Sequence, residues 1–447
     1  MNKKKSTLMA LFLTVLFAWT TGTAQNATIS VIKQGEIDFQ LLVSDIDSIV
    51  FYDPGVKDPF DKQIPDAGYG TYSDGATVDM TNPFFWIRFA QNKGIDTDAI
   101  ILTLSEIATL NRTSVDQGNL RLALPEDLGN ETTFTYAQLD ALATNYGYKS
   151  SPKNFATYMP SFSGSRNTQL GIITSFSQML SYPGAPTNVT TYLETGLEVC
   201  EGVVIYHENN NHYLVKSQNY FGWVPKSTVA ICTKSEFLEF VTPTNFIVVT
   251  AERLETDLGV PTMIRMGSKL PFVSRNGNYI TFRVPTRTSS GGLDSQAVTL
   301  IADGINEYIH VGYLPYTTTN LLKQMFKMLG RKYGWGDEGS ERDCSSTVWT
   351  VYKCCGFLLP RNTTQQQSIN AGPYCEAFSG THSQIVSNLS SYRPGTVVFR
   401  PGHVVMYLGY YNGAHYIMHQ TGGTRSSCRV TGITFYSDLS IIRAFEK

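Results

Sequence analysis

The stretch Arg342-Asp343-Cys344-Ser345-Ser346 constrains this chain more than any other. It lies where a Gly/Trp-rich loop, Tyr333-Gly334-Trp335-Gly336-Asp337, runs into a segment whose apolar residues Val348, Val351, Tyr352 and Cys355 recur at helical spacing. Asp343 is a natural N-cap, so Cys344 occupies the first turn of a helix, with unpaired amides beside it. The positive end of the helix dipole favours a thiolate there, and the expectation is a partly ionised sulfur nucleophile. About sixty residues on, His403 opens an alternating run and His419 lies in the next one.

Alternation places His403, Val405 and Tyr407 on one face of their strand, and His415, Ile417 and His419 on one face of the following strand. A strict two-residue turn at Asn412-Gly413 would pair His419 with Met406, the wrong parity for meeting His403. A three-residue loop, Tyr411-Asn412-Gly413, pairs His419 with Val405 and sets it diagonal to His403, ~7–8 Å away between backbones. The hairpin is therefore expected to be odd in length or bulged. His415 would fall opposite Gly409, ~20 Å along from His403, and is kept as the alternative third residue. In this arrangement His403 takes the thiol proton and His419 orients its ring.

The remaining sequence bounds the setting. At 447 residues the chain should divide into roughly three or four domains. A charged fraction of 16% and a net charge of −2 argue against a nucleic-acid partner held by bulk electrostatics. The 25 Tyr, 24 Phe and 37 Gly favour β-rich domains with many turns. Lys3-Lys4-Lys5, the apolar run from Leu8 to Trp19 and the small residues to Ala24 read as a secretory signal, cut after Ala24. The run is short of the ~20 residues a membrane span needs. No cysteine precedes Cys200, so lipidation at that cleavage site is not expected, and the mature protein is expected to be exported, with no integral membrane segment. The seven cysteines show no C-x-x-C spacing. No zinc site, no other metal site and no organic cofactor is expected.

The organisation expected along the chain is a signal peptide at 1–24, short strands and a linker at 25–60, and a helical unit at 61–167. Two small β-barrels follow at 168–235 and 236–316, then a C-terminal α+β domain at 317–447. The helical unit is marked by Phe84, Trp86, Ile87 and Phe89, by Thr97 to Leu110, and by Tyr136 to Tyr146. In the last domain strands are expected at Thr396–Arg400, His403–Tyr411, Ala414–Gln420 and Ile433–Ala444.

An ordered series of motifs resembles the NlpC/P60 family of cell-wall cysteine peptidases. It comprises Gly330-Arg331-Lys332-Tyr333-Gly334-Trp335-Gly336, Asp343-Cys344-Ser345-Ser346, Gly356-Phe357-Leu358-Leu359-Pro360-Arg361-Asn362-Thr363 with Gln366, Arg393-Pro394-Gly395, and His403 to Gly409 followed by Ile417-Met418-His419. Upstream, Asn211 to Val215 and Gly222-Trp223-Val224 resemble a bacterial SH3 domain, and a more divergent unit of this kind is expected from 245 to 313.

The resemblance implies a papain-like core, with Cys344 as nucleophile, His403 as base and His419 as the polar third residue. It implies Tyr333 near the oxyanion, Asp343 and Ser345 at the free amino end and D-glutamyl portion of a substrate, Trp335 among the substrate-binding residues, and Tyr220 as a substrate-contacting residue from an SH3-like wall. The implied substrates are peptidoglycan peptides of the L-Ala-γ-D-Glu-diamino acid type. An amidase or acyltransferase on the same core, and a wall-binding protein without activity, are the alternatives. Three departures from the family pattern stand out: Ser346 replaces a glycine, Thr396 an aspartate, and the 409–416 connection is longer than the family norm.

Overall fold

Antiparallel pairing dominates the chain beyond residue 160. The computed structural model describes residues 28–33, 36–42, 78–150, 153–301, 308–423 and 426–446. The expected signal segment, the expected strand at Ile49-Val50-Phe51 and the linker up to residue 60 lie outside the described residues. The chain divides into two units, Met1–Lys57 and Asp58–Lys447. In the first, Thr28–Lys33 and Glu36–Leu42 form an antiparallel hairpin with a register shift between Val31 and Ile32.

In the second unit the helices appear near where apolar periodicity places them. Asn82 caps Pro83–Asn92, and Thr103 and Thr135 form capping boxes with Glu106 and Gln138 at the starts of Leu104–Asp116 and Tyr136–Asn145. They do not share a core of their own, which departs from a separate helical unit. Trp86, Ile107, Leu110 and Leu120 bury with Leu321, Phe326, Val351 and Met406 of the C-terminal region. Leu128, Phe134, Leu139 and Phe155 bury with Val204, Trp223 and Phe282 of the β-rich region. Helices this short carry one narrow apolar stripe, and larger neighbouring surfaces cover it better than the helices cover each other.

The β-rich middle contains several sheets. A seven-stranded antiparallel sheet runs in the order Val229–Cys232, Gln169–Ile173, Gly202–Glu208, His212–Lys216, Phe221–Pro225, Ser177–Leu180, Leu193–Leu197. Five or so strands are expected from the sequence; the Pro183-Gly184-Ala185-Pro186 stretch hides the pairing of the strands on either side of it. A five-stranded sheet follows, in the order Leu293–Ile301, Tyr279–Arg287, Lys269–Asn276, Phe246–Val249, Ile309–Val311. Helix Lys234–Val241 joins the two: Phe237 is fully buried against Gly202, where an added Cβ would meet its ring at 2.4 Å. The two β regions thus share one apolar core, which contains Trp223 and Phe282 together.

The C-terminal region pairs helices Thr318–Phe326 and Cys344–Lys353 with a six-stranded antiparallel sheet. The order is Glu376–Ser379, Ile441–Ala444, Val397–Arg400, His403–Tyr411, Ala414–Gln420, Cys428–Gly432. Alternation is strict near the helix: Val404, Met406 and Met418 enter the core with Val348 and Val351, while Val405, Tyr407 and Ile417 enter a second core with Ile385, Leu389 and Ile433. The run expected as one strand from Ile433 to Ala444 is broken. A single 3-10 turn spans Ile433–Phe435, and pairing resumes at Ile441.

The His403–Tyr411 and Ala414–Gln420 hairpin settles the parity question differently from a longer loop. Tyr411 pairs with Ala414, so the turn is the two-residue Asn412-Gly413, with both residues at positive φ (46° and 84°) as a primed turn requires. The extra residue is taken up inside the strand. Tyr407 pairs with Ile417 but Gly409 pairs with Tyr416, which leaves Leu408 as a bulge. Gly409, at φ 142°, lies under the Trp86 ring, 3.5 Å from where its Cβ would be. Trp86 is fully buried and also packs on Tyr416, with ring centroids 5.4 Å apart. Trp86→Ala should lower stability by about 3–5 kcal/mol, read as the shift in urea midpoint of the C-terminal core. A variant within 1 kcal/mol of the parent would show that the bulge does not need this cover.

Candidate active site

The start of helix Cys344–Lys353 is built from polar side chains that satisfy one another. Asp343 is the N-cap; its Oδ1 accepts from the Ser346 amide at 2.9 Å, and Ser346 Oγ accepts from the Asp343 amide at 3.0 Å. Ser346 therefore completes a capping box, and its hydroxyl also donates to Asp337 Oδ1 at 2.6 Å. A glycine could make neither bond, so the departure at this position has a structural use.

The Asp343 carboxylate is crowded with donors. Arg361 approaches with both Nη atoms, at 3.0 and 2.8 Å, and Ser345 Oγ and the Gly336 amide donate at 2.9 and 3.3 Å. Burial alone would raise this carboxyl, but the Arg361 charge and these hydrogen bonds hold it below the ordinary carboxylate range. The oxygens expected to receive a substrate's amino end are thus occupied by the protein itself, because this residue caps the helix and neutralises a buried arginine. Ser345 is likewise tied between Asp343 and Arg361 Nη1, the latter at 2.9 Å.

The Cys344 sulfur meets the sheet at the beginning of the His403–Tyr411 strand, where the Val404 amide hydrogen-bonds to it. A free thiolate is not what this environment favours. Burial, and then the Asp343 carboxylate, push the thiol up to about 12, against which the Val404 amide and Arg361 act more weakly. This corrects the expectation drawn from the helix dipole: desolvation of a closed-in sulfur outweighs one turn of unpaired amides. His403 is displaced the other way, down to about 4, chiefly by burial and then by Arg400. Both groups rest neutral near pH 7.

The two imidazoles meet. His403 Nε2 lies 3.3 Å from His419 Nδ1, which also contacts Tyr436 Oη at 2.8 Å, and His419 Nε2 lies 3.1 Å from Thr431 Oγ1. His419 is pushed well below its ordinary range by burial first and by His403 second. A neutral His419 that donates from Nε2 to Thr431 presents the Nδ1 lone pair to His403. His403 then carries its proton on Nε2 and keeps Nδ1 as an acceptor. Tyr436 packs on both rings, with centroids 5.3 Å from each.

The other expected residues are distributed around this centre. The Tyr333 ring lies against Gly422, and burial, then Asp343 and Cys344, raise its hydroxyl, which stays a donor. Trp335 stands 54% exposed in the same loop. The Tyr220 hydroxyl comes from the seven-stranded sheet, donates to Glu194 at 3.0 Å and lies 3.5 Å from Asn362 Nδ2, next to Arg361. His415 is not part of the constellation: it pairs with Tyr410, and its Nδ1 lies 3.0 Å from Tyr407 Oη. All seven cysteines are free, and no cluster of three or more His, Cys, Asp or Glu suited to a metal occurs among the described residues.

Sequence reasoning missed Thr431, Tyr436, Arg361 as a partner of Asp343, and the buried charges around Asp337. Thr431 lies on Cys428–Gly432, a strand not expected at all, and Tyr436 lies where a continuous strand was expected. Arg361 and Asp337 were visible only as parts of motifs.

Residues 330–441 match the model of the NlpC/P60 family. The C-terminus carries an NlpC/P60 domain. It has the papain-like plan, with the cysteine on a helix and the histidines on the sheet behind it. The family consists generally of cell-wall peptidases. Among solved structures, an NlpC/P60 endopeptidase from Photobacterium damselae subsp. piscicida is 16% identical, over 77% of this chain and 87% of that one, with a TM-score of 0.50. An NlpC/P60 family protein from Bacillus cereus is 17% identical, over 62% of this chain and 100% of that one, with a TM-score of 0.46. No curated protein matches the sequence.

Two outcomes follow from this geometry. Alkylation of Cys344 by iodoacetamide should rise about tenfold per pH unit from 7 to 10; a plateau below pH 8 would mean a thiolate already formed. Arg361→Met should destabilise by about 3–5 kcal/mol, because the buried Asp343 loses its cationic partner and Asp337 loses one of two. Thermal melting at neutral pH measures it, and an unchanged midpoint would contradict the role given to this ion pair.

Proposed function

We propose that this protein is an exported cysteine peptidase that hydrolyses the γ-D-glutamyl to L-diamino acid bond of peptidoglycan peptides. The observation that carries the reading is the thiol of Cys344, first residue of its helix, lying against the strand that His403 opens, with the His403 ring held by His419. The bond specificity and the export rest on the motif series and the N-terminal segment described above.

In this reading His403 Nδ1 accepts the thiol proton as sulfur attacks the γ-glutamyl carbonyl, so that charge separates only as the S–C bond forms. The Cys344 amide and the Tyr333 hydroxyl donate to the developing oxyanion. The proton on His403 passes to the departing amine of the diamino acid, leaving a thioester at Cys344. Water then attacks the thioester, giving its proton to His403, and the carboxylate product leaves with the thiol restored. The β-rich region with Tyr220 walls one side of the cleft and favours short peptides with a free N-terminal L-alanine. Lys153 holds Glu194 at 2.7 Å, and Glu194 in turn holds the Tyr220 hydroxyl.

Incubation with L-Ala-γ-D-Glu-diaminopimelate, followed by mass analysis, should yield L-Ala-D-Glu and diaminopimelate. Cys344→Ala should abolish this without changing the melting temperature; turnover by that variant, or cleavage at a different bond, would overturn the reading.

Thr431 acts as a positioning residue through the tautomer of His419. Thr431→Val should lower kcat by on the order of 10–100-fold with KM little changed, the usual effect of losing a ligand's supporting hydrogen bond. Thr431→Ser should restore most of it. Equal loss in both variants would point to packing rather than to the hydroxyl.

A further inference from the structure

A cavity of about 570 Å³ lies at the opposite end of the helix that Cys344 begins, since Lys353, the last residue of that helix, lines it. Nine residues of helix separate the two ends, ~14 Å. The size falls within the ~300–1,000 Å³ of small-molecule sites. Its walls are largely apolar, supplied by Ile107, Phe240, Phe357 and Leu358, which come from three different parts of the chain.

The charges at this cavity are not equally satisfied. Lys353 is paired with Glu201 at 2.8 Å, and Arg112 with Asp127 at 3.1 Å and Glu126 at 4.0 Å. Lys269 also lines the cavity, and its ammonium makes no ion pair or hydrogen bond with any described residue. Its ammonium rests 5.3 Å from the centre of the Phe246 ring. The Tyr313 ring packs edge-on against the same Phe246, centroids 4.7 Å apart, and its hydroxyl likewise makes no hydrogen bond within the described residues. One aromatic ring therefore brings an unpaired ammonium and an unpaired phenol to a single wall of an apolar cavity.

We propose that this cavity is a second ligand site, taking a small carboxylate with an apolar body, whose charge is met by Lys269 and whose second oxygen is met by the Tyr313 hydroxyl. An ammonium with no direct partner among the described residues fits a single negative charge, and the apolar walls fit a hydrocarbon body better than a phosphate. Burial, and then repulsion from Lys353, push Lys269 down to about 8, against a weaker opposing pull from Glu126 and Cys200, neither of which touches the ammonium. Burial likewise raises the Tyr313 hydroxyl to about 12, so it remains a donor.

Titration calorimetry of the full chain with hexanoate and benzoate, against hexanamide and benzamide, tests this. The carboxylates should bind saturably and the amides at least tenfold more weakly. Lys269→Met and Tyr313→Phe should each reduce carboxylate affinity at least tenfold, while Cys344→Ala leaves it unchanged. Without ligand, Lys269→Met should melt no lower than the parent, since it removes an uncompensated charge. If that variant does not fold, the near-isosteric Tyr313→Phe and the carboxylate-amide contrast decide. No saturable carboxylate binding, equal binding of amides, or full affinity in either cavity variant would overturn the proposal.

Discussion

The Arg361 guanidinium is the fixed point around which the site is arranged. Its Nε donates to Thr195 in the seven-stranded sheet at 2.8 Å, and its two Nη atoms grip Asp343 at the head of the nucleophile helix. Asp337 stands 3.4 Å from Arg361 and also 3.4 Å from Arg265, which in turn pairs with the buried Glu198. Alternating charges thus run from the β-rich region through the loop before Cys344 and into the helix, all of them buried. Buried ion pairs of this kind seldom stabilise more than well-packed apolar side chains would. What they supply is direction: a fork that accepts one carboxylate geometry fixes the helix start against the neighbouring sheet.

A second constraint fixes the histidines. Asn412-Gly413 has the chemistry of a tight primed turn, and alone it would turn His419 to the wrong face. The Leu408 bulge reverses that parity, and the bulge is covered by Trp86 from a helix more than three hundred residues earlier. The first two N-terminal helices, Pro83–Asn92 and Leu104–Asp116, are therefore part of the support of this hairpin, their apolar faces turned toward the C-terminal core rather than toward each other.

The sequence carried the helix that Cys344 begins, its N-cap, the placement of both imidazoles and the need for a bulge or an odd loop, because each depends on local spacing. It did not carry the partners that meet through the fold. Thr431 reaches His419 only because Cys428–Gly432 adds a strand at the sheet edge, with Arg429 opposite His419 and Thr431 opposite Ile417. Tyr436 reaches both rings only because the chain leaves the sheet at Gly432 and makes a 3-10 turn. The protonation of Cys344 was misread for a related reason. Helix-end amides are local and visible in a sequence, whereas the burial that overrides them is a property of the assembled domain.

The same carboxylate acts on both members of the proposed pair, Cys344 and His403. Asp343 raises the cost of a bare thiolate on Cys344 and eases a positive charge on His403. In the proposed reaction Asp343 therefore opposes loss of the proton at sulfur and favours its arrival on the imidazole. Arg361 offsets part of the first effect, since it lowers the thiol while it neutralises the carboxylate. A neutral resting pair next to a pre-set field needs little rearrangement of surrounding dipoles when charge separates, which is the condition under which buried polar groups help a reaction. On this argument the Arg361–Asp343 pair sets the electrostatics of the thiol as well as the position of its helix. Any change that frees Asp343 from Arg361 would raise the thiol further and weaken both functions together.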